Sequence, residues 1–184
     1  MKLQVVACLL VLAPFALDVS AAQPASPYVG QESRDIKSLS SDDVNAYLSG
    51  KGMGLAKTAE LNGYPGPSHV LELASQLTLT PEQRARTEAL FSSMASKAIS
   101  LGRALVEEER KLDRLFATKA VTAELLASSL SEIGSLQAKV RGAHLEAHLA
   151  QVEILTPEQN ARYARLRGYG SADANTGHGG QHKH

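Results

Sequence analysis

The chain has 184 residues, with 19 basic and 19 acidic side chains, no tryptophan and 4% aromatic residues. That length suits one domain, and the balanced charge argues against nucleic acid or a strongly charged membrane surface as partner. A core drawn from Leu, Ala and a few Val, Ile and Met suits narrow helix–helix packing rather than a deep globular interior.

Residues 1–21 read as a secretory signal peptide. Lys2 supplies the positive charge, residues 3–17 are mostly apolar, and Val19-Ser20-Ala21 puts small side chains where a signal peptidase cuts. The apolar run is too short and too poorly flanked for a membrane-spanning helix. The chain is therefore expected to be exported, with the signal peptide cleaved. Cys8 is the only cysteine and leaves with the signal, so the mature chain has neither disulfides nor thiolate ligands.

Residues 22–34, rich in Ser, Pro and Gln, read as a flexible arm. Residues 35–78 read as a set of short helices. Ser40 or Ser41 with Asp42 and Asp43 opens the first, and Gly50 ends it. Residues 54–61 form the second, stopped by Asn62-Gly63. Tyr64-Pro65-Gly66-Pro67 is a rigid turn, because two prolines fix φ. Residues 68–77 form the third.

Residues 79–168 carry the main signal. Leu-Thr-Pro-Glu-Gln-x-Ala-Arg occurs twice, at 79–86 and at 155–162. Each copy is a helix start. Thr80 and Thr156 cap the N-terminus, Pro81 and Pro157 take the first helical position, and Gln83 and Gln159 close a capping box. Leu79 and Leu155 lead into the two starts. The first long helix runs over about 81–117, with Leu90, Met94, Leu101, Leu105, Leu112, Leu115 and Phe116 on one stripe. Residues 118–121 turn the chain, Thr122 caps the return helix, and that helix runs to about 153. Its stripe holds Leu126, Leu130, Ile133, Leu136, Val140, Ala143, Ala147 and Ile154. The fold class is therefore all-α: a long antiparallel helical hairpin with short flanking helices. Leu145, Leu149 and Val152 lie on the far side of the return helix and need covering, by the small helices or by a second copy, for which a homodimer is the preferred answer. Residues 169–184, rich in Gly, Asn and His, read as a disordered tail.

No nucleophile triad, phosphate loop or dinucleotide fingerprint occurs, and no catalytic residue is expected. His144 and His148 stand four apart, so both imidazoles leave one helix face about a turn apart. They either chelate a divalent metal or hydrogen-bond to the partner helix. A zinc-protease reading fails, because that motif needs Glu directly after the first His, whereas Glu146 comes two positions later. His178, His182 and His184 in the tail either scavenge Zn²⁺, Cu²⁺ or Ni²⁺ or merely solvate it. No cofactor is required, and the candidate ligand is a divalent metal (Zn, Cu or Ni). Met53 and His69 read as a core and a surface residue, and residues 107–111 as a solvated charge run.

The doubled Leu-Thr-x-x-Gln signature behind a secretion signal resembles the periplasmic Spy/CpxP family, whose metal-linked relatives include ZraP-like and CnrX-like heavy-metal sensor proteins. The resemblance covers about residues 71–168, and residues 52–67 have no counterpart in its well-described members. It implies a hairpin protomer dimerised into a curved cradle. It also implies either an ATP-independent chaperone for unfolded envelope proteins or a metal-binding sensor that modulates a membrane-bound partner. Leu79, Thr80, Gln83, Leu155, Thr156 and Gln159 match the signature and are structural. Sensor relatives carry a His and a Met four apart just ahead of the second motif, where this chain has His144 and His148. The Gly-His-Gly-Gly stretch at 177–180 looks like the tails of zinc-linked members. The first expectation is a chaperone that holds clients on Leu90, Met94 and Leu101, with metal-binding capacity. The second is a heavy-metal (Zn, Cu or Ni) sensor or resistance protein, and the third an interaction subunit of an envelope regulator.

Overall fold

The computed structural model describes residues 25–169. The signal-peptide reading and the tail histidines lie outside these residues. The chain divides into two units, Met1–Glu32 and Ser33–His184. In the first, the described residues form successive turns, with Val29 N donating to Ser26 O and Gln31 N to Tyr28 O.

The second unit is helical, with no strand among the described residues: α1 (Ser41–Leu48), α2 (Lys57–Glu60), α3 (Pro67–Glu72), α4 (Pro81–Ala117), α5 (Ala123–Val152) and α6 (Pro157–Leu166). No described helix is long and apolar enough to cross a membrane. Ser40 caps α1 in a closed box with Asp43, the Asp43 N–H donating to Ser40 Oγ at 3.1 Å and the Ser40 N–H to Asp43 Oδ2 at 3.0 Å. The second helix is shorter than its sequence suggests. Met53 and Gly54 both take positive φ, which helical backbone does not allow, so regular α-structure begins only at Lys57. The third starts one residue early, with Pro67 at its first position, and stops at Glu72. Thr78, at φ +51°, then turns the chain so that Leu77 can enter a core with Val70, Leu155 and Tyr163.

The hairpin forms as the pattern requires. α4 is 37 residues long, about 55 Å at 1.5 Å per residue. Lys119, at φ +57°, makes the turn, and Thr122 Oγ1 accepts from Leu125 N at 3.2 Å to start α5. A second core cluster, Leu105, Ile133 and Leu136, lies between the long helices, with Tyr47, Leu101 and Leu112 packed against it. The seam is richer in small residues than the expected stripe. Thr87, Ala98, Gly102 and Val106 are buried on α4, while Phe116 and Leu130 remain 54% and 53% exposed. Phe116 stands on the last turn of α4, where the hairpin runs out, and Leu130 lies at the margin of its stripe. Gly102 is buried for a definite reason. A Cβ there would meet Tyr47 O at 2.3 Å, so α1 rests on α4 backbone to backbone.

The two motif copies meet. The side-chain amides of Gln83 and Gln159 bond reciprocally, Gln83 Nε2 to Gln159 Oε1 at 2.7 Å and Gln159 Nε2 to Gln83 Oε1 at 3.0 Å. Each also donates across the joint, Gln83 to Ile154 O at 2.9 Å and Gln159 to Leu77 O at 3.1 Å. Each still accepts from its own cap threonine N–H. The capping boxes that start α4 and α6 therefore clasp the open end of the hairpin. Nearby, buried Gln151 donates to buried Thr87 Oγ1 at 3.2 Å.

Farther along α4 the fastening is ionic. Lys37 meets Asp113 at 3.0 Å, Arg110 meets Asp35 at 3.1 Å, and Ser38 Oγ donates to Glu109 at 2.8 Å. The charge run at 107–111 thus does more than face solvent, because it straps residues 35–38 to the helix.

Candidate metal centre

His144 and His148 project from α5 into a cleft of about 360 Å³, whose walls also carry His69 and Met94. α5 places the two imidazoles one turn apart, and the loop before α2 and the turn before α3 close over them. His144 is 5% exposed, and its buried Nε2 has no hydrogen-bond partner. Burial, then the neighbouring His148, pushes its pKa below that of an ordinary histidine, so the neutral, lone-pair-bearing ring is favoured.

His148 is held from the other side. Its Nδ1 lies 2.8 Å from Tyr64 O. A carbonyl can only accept, so Nδ1 carries a proton, and in the neutral ring the lone pair then falls on Nε2. Gly66 makes room for that nitrogen, since a Cβ there would stand 3.0 Å from His148 Cε1 and 3.1 Å from Nε2. Behind the ring lies Glu60, with Oε2 3.7 Å from His148 Nδ1. Its carboxylate is a junction. Oε1 accepts from Tyr163 OH at 2.6 Å and Tyr169 OH at 3.0 Å, and Oε2 accepts from Gly66 N at 3.1 Å. Arg167 Nε is 3.4 Å from Oε1, and its guanidinium lies over the Tyr169 ring. Burial, together with the bond to Glu60, raises the Tyr163 phenol well above its usual value, so it stays a donor.

This arrangement is one that tunes a ligating histidine: a carbonyl fixes the tautomer and a carboxylate stands behind it. The residues fit a metal ion. An unpartnered buried imidazole nitrogen, a second imidazole with its tautomer set, and a thioether on the wall form a donor set for Ni²⁺, Cu²⁺ or Zn²⁺ rather than for Mg²⁺ or Ca²⁺. Among the described residues, however, no three His, Cys, Asp or Glu side chains are grouped to hold an ion by themselves. His69 lines the cleft, but its Nδ1 is 3.0 Å from Glu72 Oε2, and that bond lowers the Glu72 pKa.

The sequence-derived candidates separate. His144 and His148 come together with Met94, a residue the sequence offers for client binding. Leu90 is half-buried, and Leu101 packs against the Leu105–Ile133–Leu136 cluster. Met53 is 43% exposed and no part of the core. Leu79, Thr80, Pro81, Gln83, Leu155, Thr156, Pro157 and Gln159 occupy the clasp. Tyr169, placed first in the tail by sequence, is half-buried on Glu60 instead. Sequence reasoning missed Glu60, Tyr163, Arg167 and Gly66. Their partners lie up to 109 residues away, and only the doubled proline of 64–67 hinted at a built turn. Residues 52–67 therefore supply the outer wall of the site.

A family model described as heavy-metal resistance matches residues 52–162, more than half of the chain and all of the cleft's α4 and α5 residues. No curated protein and no solved structure matches significantly. With two imidazoles in a cleft beside a clasped pair of Leu-Thr-x-x-Gln helix starts, the chain belongs to the heavy-metal resistance family, which takes in the Spy/CpxP-, ZraP- and CnrX-like proteins.

Proposed function

We propose that the protein binds a borderline divalent cation in the periplasm through His144 and His148, with Met94 on the cleft wall, and serves heavy-metal resistance or sensing by presenting the loaded state to a membrane-bound regulator. The observation that carries this is His144 Nε2, buried and unpartnered beside a second imidazole whose tautomer is set. An unsatisfied buried nitrogen costs about 1–3 kcal/mol, which a coordinated ion would offset. The metal is cargo or signal, not a catalyst. The test is calorimetry of the signal-free chain with Zn²⁺, Cu²⁺ and Ni²⁺, repeated on His144→Ala/His148→Ala. Loss of the tightest site is expected, and unchanged binding of all three ions rejects the reading.

A second reading, reversible holding of unfolded envelope proteins, is favoured by one feature. Ala59, Tyr64, Leu145 and Leu149 line an apolar groove between α2 and α5, and Leu149 is 60% exposed. Suppression of aggregation of a denatured test protein without ATP, weakened by Leu145→Ser/Leu149→Ser, supports it. Equal suppression by that variant rejects the groove.

A further inference from the structure

We infer that ion capture at His148 is relayed by the Glu60 carboxylate to the end of α6, so that loading the cleft fastens residues 57–67 between the metal ligand and the Tyr163–Tyr169 pair. This rests on the cleft being a metal site, as proposed above.

Two observations carry it. The first is that the outer wall of the cleft is lightly packed. α2 is a single turn with no side-chain cap, and it buries none of its residues. Met53, Gly54 and Gly63 all take positive φ, and Leu61 is 54% exposed. Of residues 52–64 only Ala56 is buried. A segment with so little apolar burial is held mainly by its polar anchors and opens at low cost.

The second is where those anchors meet. Tyr64 O accepts from His148 Nδ1 at 2.8 Å, and Glu60 Oε2 lies 3.7 Å from the same nitrogen while accepting from Gly66 N at 3.1 Å. Glu60 Oε1 turns the other way, to Tyr163 OH at 2.6 Å and Tyr169 OH at 3.0 Å. The wall is therefore fastened to a metal ligand on one side and to α6 on the other, through one carboxylate.

The chemistry gives the direction. An ion on Nε2 draws electron density from the ring, so Nδ1–H becomes a stronger donor to Tyr64 O and a more positive neighbour for Glu60. The Glu60 side chain is only 12% exposed, so solvent screens this change poorly. Linkage makes the effect reciprocal: whatever the ion adds to the hold on the wall, the wall adds to the affinity for the ion. Glu60, Tyr163 and Tyr169 are thus positioning residues. The carboxylate stands behind the ring, on the Nδ1 side, and the two phenols reach the ring only through it.

The experiment is amide hydrogen exchange of the signal-free full chain with and without Zn²⁺, paired with Zn²⁺ calorimetry. The amides of Tyr64, Gly66 and Tyr169 donate to Ala59 O, Glu60 Oε2 and Ala164 O. Zn²⁺ is expected to slow their exchange about tenfold, to leave the amides of Lys37 and Gln83 unchanged, and to have no such effect in His144→Ala/His148→Ala. Conversely, Glu60→Gln should weaken Zn²⁺ binding about tenfold and Tyr163→Phe about threefold, although neither side chain is a donor to the ion. Tyr163 is 2% exposed, so Tyr169→Phe, at a half-buried ring, repeats the measurement should the first phenol prove necessary for folding. Zn²⁺ bound by the two histidines with unchanged exchange at the three amides overturns the relay and leaves the site standing. Equal slowing at Lys37 and Gln83, or parent affinity in all the Glu60 and tyrosine variants, does the same. Zn²⁺ binding that is absent, or that survives His144→Ala/His148→Ala, removes the site and the relay with it.

Discussion

Replacing Gln83 by alanine tests the clasp at the open end of the hairpin. The side chain makes four hydrogen bonds: it accepts from Thr80 N at 3.1 Å and Gln159 Nε2 at 3.0 Å, and donates to Gln159 Oε1 at 2.7 Å and Ile154 O at 2.9 Å. At a net 0.5–1.5 kcal/mol each, reduced because the site is only half-buried, Gln83→Ala is expected to cost about 2–4 kcal/mol. The Thr80 hydroxyl still caps α4, so the loss falls on the joint rather than on the helix. Gln159→Ala should cost a similar amount. Two of the bonds are shared, so the double variant should be more stable than the sum of the singles implies, by about 1–2 kcal/mol. Urea denaturation followed by far-ultraviolet circular dichroism measures all three, and the midpoint of thermal unfolding of each single variant should fall by roughly 5–15 °C. Single losses below about 0.5 kcal/mol, or strict additivity of the pair, would refute the idea that the repeated glutamines hold the hairpin shut.

Glycine substitutions on the long helices should differ in sign. Gly102→Ala puts a Cβ 2.3 Å from Tyr47 O, and its overpacking cost of about 1–3 kcal/mol should outweigh the ~1 kcal/mol gain in helix propensity. Gly134→Ala meets nothing within 4 Å and should stabilise by about 0.5–1 kcal/mol, so paired melting curves that move the same way contradict this reading. Gly66→Ala presses on His148 Cε1 and Nε2 and should weaken Zn²⁺ binding about tenfold while costing under roughly 1 kcal/mol of stability, which calorimetry and denaturation together check. The bond from the Ser40 hydroxyl holds the Asp43 carboxyl below its ordinary value of 3.8. Its contribution to stability is therefore complete above that value and lost as the pH falls through it toward the depressed one. Asp43→Asn should flatten that acid limb, and an unchanged pH–stability curve counts against the capping box.

What could be read from the sequence was whatever repeats locally. Thr80, Pro81 and Gln83 announce a helix start within four residues, and the copy at Thr156 announces another, so α4, α5 and α6 emerge at nearly the expected bounds. His144 and His148 were legible as a pair because four residues make one helical turn. What surrounds them was not. Glu60 reaches Tyr163 and Tyr169 across more than a hundred residues, and Tyr64 contributes a backbone carbonyl, which no side-chain pattern reports. The stripe of large apolar residues also misled. Where two helices approach closely the buried positions are Ala98 and Gly102, while Phe116 at the helix end stays wet. Short helices suffered most, because α2 and α3 owe their bounds to the positive φ of Met53 and Thr78 and to the packing of Leu77 rather than to propensity.

The hairpin is tied by two different chemistries. Neutral amides hold one end, and dissolved electrolyte leaves them nearly untouched. The segment around Asp35 and Lys37 is moored to Arg110 and Asp113 by charges that open water can screen. Rising brine would therefore loosen this mooring first and leave the amide-sealed end closed. In hydrogen exchange the backbone of 35–39 would lose protection with added salt, while the helix starts at 81 and 157 would keep theirs.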